Sequence, residues 1–192
     1  MGLYHAGLGV TGVSWTPEPE YPFRLVVEDA LKLTPEFIKG FDFVWASPPC
    51  QAYTWSAKRW PLVKRNDVVA PTRDLLIASG VAFVIENVPV APIRKDLILE
   101  GDMFGLHVIR RRAFEIHGFS VPQPAKVPRQ GTVKDGYYCT VAGHGGNGRA
   151  ALHLWQEAMD IHWMRDKHSL AEAVPPAYAA YIGAAFLAHR KV

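Results

Sequence analysis

A cysteine follows a short apolar run and two prolines in the stretch FVWASPPCQAY, residues 43–53. The run contains the β-branched and aromatic residues typical of a buried strand. Pro48 and Pro49 cannot continue a strand ladder, and their fixed φ angles hold Cys50 on a stiff loop at the strand end. Because open α/β sheets bind ligands beyond the carboxyl ends of their strands, Cys50 is a candidate nucleophile. The alternative is a small core residue, which is the common fate of a free cysteine.

Charged side chains follow other strand-like segments. Glu86 and Asn87 lie near the end of VAFVIENV, the most strand-like segment of the sequence. A carboxyl group at the tip of an apolar strand is a candidate acid or base, although a helix cap or a surface position would explain it as well. Three arginines in IRRRAFEI are either anion-stabilising groups or a salt-bridged surface; they are Arg110, Arg111 and Arg112.

Strands must alternate with helices to position these groups. Strand patterns occur at GVTGVSW, FRLVVED, FVWAS and VAFVIENV, and helix signals occur at residues 34–36 and from about residue 72 to residue 79. This alternation predicts βαβ units and an α/β fold with a mainly parallel sheet. Beyond a stretch rich in Pro and Gly, residues 150–189 predict helix with an interruption at Pro175 and Pro176.

Composition limits the class of protein. The chain has 192 residues, enough for one ordinary domain and a small lobe, and its two cysteines, Cys50 and Cys139, lack the C-x-x-C spacing of a metal site. No apolar run approaches the ~20 residues of a membrane span, and the first residues lack the charged and apolar regions of a signal peptide. We therefore expect a cytoplasmic protein that binds no metal.

Basic residues cluster although the formal net charge is only +3. Four of them follow the PPC sequence and are interleaved with two tryptophans: Lys58, Arg59, Lys64, Arg65, Trp55 and Trp60. This pattern suits contact with phosphates and stacking on bases, or it belongs to an ordinary solvated loop.

The ordered set of motifs resembles the C5-cytosine DNA methyltransferases, in particular their short phage and prophage members. PPC, ENV and R-x-R-x-F occur in the family's order, and the similarity continues through LILEGDMFGL, GHGGN and LWQEAMDIHWM to AVPPAYAAYIG. It implies a Rossmann-like methyltransferase fold in the cytoplasm of a bacterium or a phage-infected host cell. The implied domains are a catalytic α/β core at 1–113, a reduced target-recognition lobe at 114–148, and a helical segment that returns to the core at 149–192.

The resemblance also implies a role for each candidate residue. Cys50 adds to cytosine C6, Glu86 protonates or hydrogen-bonds N3, and Arg112 holds O2 with Arg110 as a second arginine. The base leaves the duplex to be reached. Positions implied to support the site or contact DNA are Pro49, Gln51, Trp55, Asn87, Arg111 and His144. Positions implied to hold S-adenosylmethionine are Ser14, Trp15, Asp29 and Pro48.

Two departures from the family concern this cofactor. The family's first strand and glycine-rich turn have no counterpart before GLYHAG, so we expect a sheet truncated in its N-terminal part. Ser14 stands where the family usually carries an acid for the ribose hydroxyls, whereas Asp29 either matches the adenine-side position or caps a helix.

These departures leave three alternatives open. The first is a methyltransferase whose donor is weakly held, or held with the help of a partner chain. The second is C5 chemistry without S-adenosylmethionine, such as the addition or removal of an aldehyde. The third is a non-catalytic DNA-binding relative, against which the retained Cys50, Glu86 and Arg112 argue.

Partners follow from the same resemblance. We expect DNA as the substrate, with single-stranded DNA or a free cytosine nucleotide as alternatives, and the short recognition lobe predicts a relaxed sequence preference. A sheet that lacks a central strand leaves its neighbours unpaired, so we also expect a homodimer or a partner chain that completes the sheet.

Overall fold

A computed structural model of the chain describes residues 1–53, 67–141 and 150–191. The chain divides into two compact units. The sheet unit comprises Gly9–Ile98 and Arg112–Val121, and the helical unit comprises Met1–Leu8, Leu99–Arg111 and Pro122–Val192. Over the described ranges, no helix has the length and apolar character that crossing a membrane requires.

Twelve helices and strands follow one another in the described residues. In chain order they are α1 (Gly2–His5), β1 (Thr11–Ser14), β2 (Arg24–Val27), α2 (Pro35–Ile38), β3 (Phe43–Ala46), α3 (Val69–Ser79), β4 (Ala82–Asn87), β5 (Leu97–Leu99), β6 (Arg112–His117), α4 (Leu152–Met159), α5 (Lys167–Glu172) and α6 (Pro176–His189). Short 3₁₀ helices occupy Ala30–Lys32 and Gly101–Phe104.

The strands form two sheets. β1 and β2 are a parallel pair, in which Ser14 lies opposite Val27. The second sheet has the order β3-β4-β6-β5; β3 and β4 are parallel, and β6 is antiparallel to β4. Because α3 lies between β3 and β4 in the chain, these elements form a βαβ unit, and the predicted α/β fold class is confirmed. Among the described strands, β1 and β2 are both edges of the first sheet, and β3 and β5 are the edges of the second. Assembly with a second chain stays a prediction.

Local sequence signals set several element boundaries. The Thr34 hydroxyl caps α2 by accepting a hydrogen bond from the Phe37 amide at 3.2 Å. α3 ends at Gly80, whose φ of 69° lies in the left-handed region that glycine adopts readily. α3 begins at Val69, earlier than the sequence pattern predicts, because Asp67 accepts a hydrogen bond from the Val69 amide at 3.0 Å.

The two faces of β6 carry different groups. Alternation along the strand places Arg112 and Phe114 on one face and Glu115 on the other. Phe114 packs edge-on against Trp45 of β3, with ring centroids 5.6 Å apart. The opposite face meets the apolar core of the sheet unit, whose buried members are Ile38, Val69, Leu76, Phe83, Ile85, Ile93 and Ala113.

A buried carboxylate fixes α3 against β6. The Glu115 side chain is 1% exposed and accepts hydrogen bonds from Arg73 Nε and Nη2, both at 2.8 Å. The Arg94 amide donates to it at 3.0 Å, and the His117 ring lies 2.9 Å away. Burial raises the pKa of Glu115, but the hydrogen bonds from Arg73, His117 and Arg94 outweigh burial and lower the pKa to about 2. The bidentate pair therefore holds α3 on the sheet.

The helical unit has a separate core. Its buried members are Val108, Val141, Trp155, Ala158, Met159, Ile161 and Leu170. The helical stretch predicted to break at Pro175 and Pro176 has a second break, which corrects that prediction. Asp160 ends α4 in the left-handed conformation with a φ of 53°, and Asp166 caps α5 by accepting a hydrogen bond from the Ser169 amide at 2.8 Å.

The predicted boundary between the catalytic α/β core and the recognition lobe, at residue 113, falls inside β6. This strand runs without interruption from Arg112 to His117. Residues 118–137, all of them described, form neither helix nor strand, in agreement with their Pro- and Gly-rich sequence. The functional division into a core, a recognition lobe and a returning helical segment stays a prediction.

Gly101 occupies a position that has no room for a methyl group. A Cβ there would lie 2.4 Å from the Val108 carbonyl oxygen and 3.1 Å from that of Leu106. Gly101→Ala is therefore expected to lower the free energy of unfolding by about 1–3 kcal/mol, measured by urea denaturation. Gly9→Ala is the control, because a Cβ at that position meets nothing within 4 Å. Equal losses in the two variants would contradict this reading of the packing.

Candidate active site

The loop after β3 presents Cys50 at the carboxyl end of the strand. Asn87, the last residue of β4, donates from Nδ2 to the Pro48 carbonyl oxygen at 2.9 Å. Because β3 and β4 are parallel, with Ala46 opposite Ile85, both strands end at the same edge of the sheet. The bond from Asn87 therefore ties the loop to β4 just before Cys50.

The two cysteines of the chain have different surroundings. Cys50 is half-buried, and its carbonyl oxygen accepts a hydrogen bond from the Tyr53 amide at 2.9 Å. Cys139 belongs to the helical unit, where burial raises the pKa of its thiol. A raised thiol pKa lowers the fraction of the nucleophilic thiolate. Cys50, in the loop tied to β4 by Asn87, is the better placed of the two for covalent chemistry at this end of the sheet.

A carboxylate and a guanidinium meet where β4 ends and β6 begins. Arg112 Nε lies 2.9 Å from Glu86 Oε1, and the two side chains are 14% and 7% exposed. The antiparallel register sets Glu86 opposite Phe114, so Arg112, two residues from Phe114 on the same face, lies beside the end of β4. Because the pair is largely shielded from water, its charges act more strongly on a bound group than exposed charges would.

The sheet thus brings most of the sequence-predicted chemical groups to one edge. Pro48 and Asn87 are joined by a hydrogen bond, and Glu86 and Arg112 by an ion pair. Cys50 follows the anchored Pro48 in the loop at the same edge. A half-buried thiol, a carboxylate and a guanidinium placed in this way can add a nucleophile to a ring and stabilise the resulting negative charge.

Arg110 has different surroundings from Arg112. It belongs to the helical unit and is 4% exposed. Its Nη1 donates to the Val141 carbonyl at 2.8 Å, and its Nη2 donates to the Ala171 carbonyl at 2.7 Å. The Tyr178 hydroxyl donates to the carbonyl of Arg110 at 2.8 Å. These bonds hold Arg110 within the helical unit, whereas Arg112 contacts Glu86. The predicted function of Arg110 at O2 stays a prediction.

The residues predicted to face DNA are spread over several environments. Pro49 and Gln51 are exposed on the loop around Cys50. Arg111 is 58% exposed in the helical unit, and its Nε lies 3.2 Å from Glu100 Oε1. Trp55 and His144 lie outside the described residues, as do Lys58, Arg59, Trp60, Lys64 and Arg65. Their predicted roles stay predictions.

The predicted cofactor residues of the first sheet lie at its carboxyl edge. Ser14 ends β1, and Trp15 follows it with 82% of its surface exposed. Asp29 lies beyond β2 and accepts a hydrogen bond from the Leu31 amide at 3.0 Å, which caps the 3₁₀ helix. The capping function proposed for Asp29 from the sequence is therefore present. The Asp29 Oδ1 atom accepts the capping hydrogen bond. The predicted contact of Asp29 with the adenine of the cofactor stays a prediction.

Sequence reasoning did not assign Tyr53 and Asp67 to this site. The Tyr53 hydroxyl donates to Asp67 Oδ1, and Asp67 lies two residues before Val69, the first residue of α3. An aspartate just before a helix start is a recognisable capping signal. The pairing of Tyr53 with it spans 14 residues and has no sequence signature.

Comparison with known proteins finds similar chains among solved structures. No family model and no curated protein matches the chain. Among solved structures, the chain is similar to a substituted DNMT2 from Spodoptera frugiperda, with 20% sequence identity and a TM-score of 0.46. The match covers 67% of this chain and 52% of that one, so the chain spans about half the length of the structure it matches. A likeness of this degree assigns neither activity nor substrate.

Proposed function

We propose that the protein modifies cytosine at C5 in DNA and uses Cys50 as a covalent nucleophile. The observation that carries the proposal is the Glu86–Arg112 pair, joined at 2.9 Å at the sheet edge to which Asn87 ties the Cys50 loop. A thiol, a carboxylate and a guanidinium are the groups that this reaction needs. The order of the PPC, ENV and R-x-R-x-F motifs supports the same function.

The chemistry follows from the reactivity of the base. Cytosine C5 is a poor nucleophile until another group adds to C6. The Cys50 thiolate forms a bond to C6, and the electron pair of the C5–C6 double bond moves towards C5, N3 and O2. Glu86, as a protonated carboxyl group, donates its proton or a hydrogen bond to N3, and Arg112 donates to O2, so both stabilise the displaced charge. C5 would then form a bond to an electrophilic group, whose own bond to the donor would break. Loss of the C5 proton to solvent and cleavage of the sulfur–C6 bond then restore the C5–C6 double bond and release the Cys50 thiolate.

The substrate is proposed to be a base that has left the duplex stack. A site at a sheet edge cannot reach C6 of a stacked base, so the enzyme flips the base or takes it from a single strand. The exposed Arg111, Pro49 and Gln51 are the described residues that we propose to contact the nucleic acid. A free cytosine nucleotide remains the second candidate substrate.

S-adenosylmethionine is the proposed donor, and it supplies an electrophilic methyl group when bound. The described residues fit its adenosine part. The exposed indole of Trp15 can stack on adenine, the Ser14 hydroxyl can bind the ribose, and the Asp29 carboxylate can accept from the adenine amine. Pro48, two residues beyond β3, is the fourth residue assigned to this function. Because Ser14 replaces a carboxylate with one hydroxyl, we expect weak binding of the ribose.

The first experiment makes no assumption about the donor. The protein and its Cys50→Ser variant are expressed in a bacterial host without its own cytosine methylation, and the nucleosides of the digested DNA are identified by mass. We expect 5-methylcytosine with the wild type and none with the variant. A different Cys50-dependent cytosine mass would replace S-adenosylmethionine with another donor, such as an aldehyde.

A second experiment tests the covalent step without any donor. Reversible addition of Cys50 to C6 makes the C5 hydrogen exchange with solvent, so DNA incubated with the protein in D₂O is expected to gain deuterium at C5. Duplex DNA, single-stranded DNA and free cytosine nucleotides are compared. Absence of Cys50-dependent exchange on all three, together with absence of a new nucleoside in cells, would refute the proposal in favour of a non-catalytic DNA-binding relative.

A further inference from the structure

We infer that Tyr53 and Asp67 form a clamp that holds the Cys50 loop on the C-terminal side of the cysteine. This inference rests on the function proposed above. The Tyr53 hydroxyl donates to Asp67 Oδ1. This Tyr53–Asp67 clamp joins the turn that contains Cys50 to the start of α3. Tyr53 and Asp67 are positioning residues, since they act on the reaction through Cys50.

On the loop side, Tyr53 is bound at two points. Its amide donates to the Cys50 carbonyl at 2.9 Å, which closes the turn that contains Cys50. Its ring packs against the buried core of the sheet unit. A movement of the Tyr53 ring would therefore be transmitted directly to the backbone of Cys50.

On the helix side, Asp67 is attached to a fixed element. The Oδ1 atom that accepts from Tyr53 also accepts from the amide of Val69 at 3.0 Å, and Val69 is completely buried. Further along α3, Arg73 is bound in bidentate fashion to Glu115 of β6. The clamp therefore fixes the Cys50 loop relative to α3. The Arg73–Glu115 pair in turn fixes α3 relative to β6, the strand that carries Arg112.

The direction of the clamp hydrogen bond follows from the surroundings of the Tyr53 phenol. Burial, together with the hydrogen bond to Asp67 and its negative charge, raises the pKa of Tyr53 above its ordinary value. The phenol keeps its proton, so Tyr53 is the donor and Asp67 the acceptor. A hydrogen bond to a charged acceptor is stronger than one between neutral groups.

The clamp complements the anchor on the other side of Cys50. Asn87 binds the Pro48 carbonyl before the cysteine, and Tyr53 binds the backbone after it. With both anchors the thiol is fixed relative to Glu86 and Arg112. With the first alone, Cys50 would move about Pro48, and misplacement of a reacting atom by about 1 Å costs up to about 100-fold in rate.

The test uses the full chain with Cys139→Ser, so that Cys50 is its single thiol, and measures deuterium exchange at cytosine C5. Tyr53→Phe removes only the clamp hydrogen bond and is expected to slow exchange by about tenfold or more. Asp67→Ala is expected to slow it to a similar extent. Asp67→Asn keeps a carbonyl oxygen that can accept both hydrogen bonds, so exchange is expected to stay within about threefold of the parent.

Two further variants separate the clamp from general effects. Tyr181→Phe removes a comparable hydroxyl, which donates to the Pro122 carbonyl at 2.9 Å in the helical unit, and is expected to leave exchange unchanged. The double variant Tyr53→Phe with Asp67→Ala is expected to be no slower than the worse single variant, because both substitutions break the same bond. Losses that multiply in the double variant would overturn the clamp.

A second readout does not depend on the proposed function. The rate at which iodoacetamide alkylates Cys50 is measured from about pH 6 to 10, the range in which thiols titrate. The thermal unfolding midpoint of each variant is measured as well. We expect Tyr53→Phe and Asp67→Ala to change the alkylation rate or its pH midpoint, and Asp67→Asn and Tyr181→Phe to leave both unchanged. Changed alkylation without exchange in the parent would support the clamp and reject the proposed function. An alkylation profile of Tyr53→Phe identical to that of the parent would overturn the clamp.

Discussion

Arg112→Met is expected to slow Cys50-dependent exchange at cytosine C5 roughly 10²- to 10³-fold, the usual loss when a donor to a developing negative charge is removed. Methionine has a similar length but neither the charge nor the N–H groups that the proposed mechanism aims at O2. The rate is measured under single-turnover conditions by mass spectrometry. A rate within about fivefold of the wild type would contradict the assigned role of Arg112.

A matched set of variants separates catalysis from folding. Arg112→Met removes the cation beside the buried Glu86 and is also expected to cost about 3–5 kcal/mol of stability. Adding Glu86→Gln removes the second charge, so the double variant is expected to recover most of the stability while its exchange rate stays low. Arg24→Met, exposed on β2, is the control and should alter neither quantity. Recovery of the rate along with the stability would mean that the pair acts through folding alone.

Glu115→Ala is expected to lower the free energy of unfolding by about 3 kcal/mol, because it removes one partner of a buried, bidentate ion pair. Arg73 is 24% exposed and can reach water, which places the loss at the lower end of the range for such pairs. The loss is measured by urea denaturation. Glu172→Gln is the control, since Glu172 and His168 form an exposed pair at 3.7 Å. That substitution is expected to change the stability by less than about 0.5 kcal/mol.

The same carboxylate predicts how stability depends on pH. The pKa of Glu115 is lowered from 4.5 to about 2 in the folded chain, so the ionised group stabilises the fold above pH 4.5. This contribution is lost as the pH falls from 4.5 towards 2, where the folded protein also binds the proton. We expect the stability difference between the wild type and Glu115→Gln to shrink over that interval. A difference that stays constant from pH 6 to 2, roughly the range over which carboxylates titrate, would show that Glu115 does not remain ionised.

Elements governed by local signals were predictable from the sequence. The apolar run that ends at Glu86 forms β4, Thr34 caps α2, and Gly80 ends α3. The break between α4 and α5 escaped prediction, because Asp160 and Asp166 lie within a stretch whose apolar spacing resembles that of a continuous helix. There a left-handed residue and a capping carboxylate override the helical pattern.

The site shows a similar limit. The motifs indicated Glu86 and Arg112, and the family resemblance gave Arg110 a function beside Arg112. β6 begins at Arg112, whereas Arg110 lies before the strand and donates to carbonyls of the helical unit, a difference that motif order does not encode. The Arg73–Glu115 pair spans 42 residues, and such long-range pairing leaves no local pattern in a single sequence.

The register between β4 and β6 has a consequence for how the chain finds its fold. Glu86 pairs with Arg112 on one face of the sheet, and Glu115 pairs with Arg73 on the opposite face. A slip of β6 by one residue would exchange its faces, separate both ion pairs and turn charged groups towards apolar ones. A misaligned pairing of β4 and β6 thus loses two ion pairs and also places charged side chains against apolar ones. The residues proposed to activate the base therefore also favour the native alignment of β6 with β4.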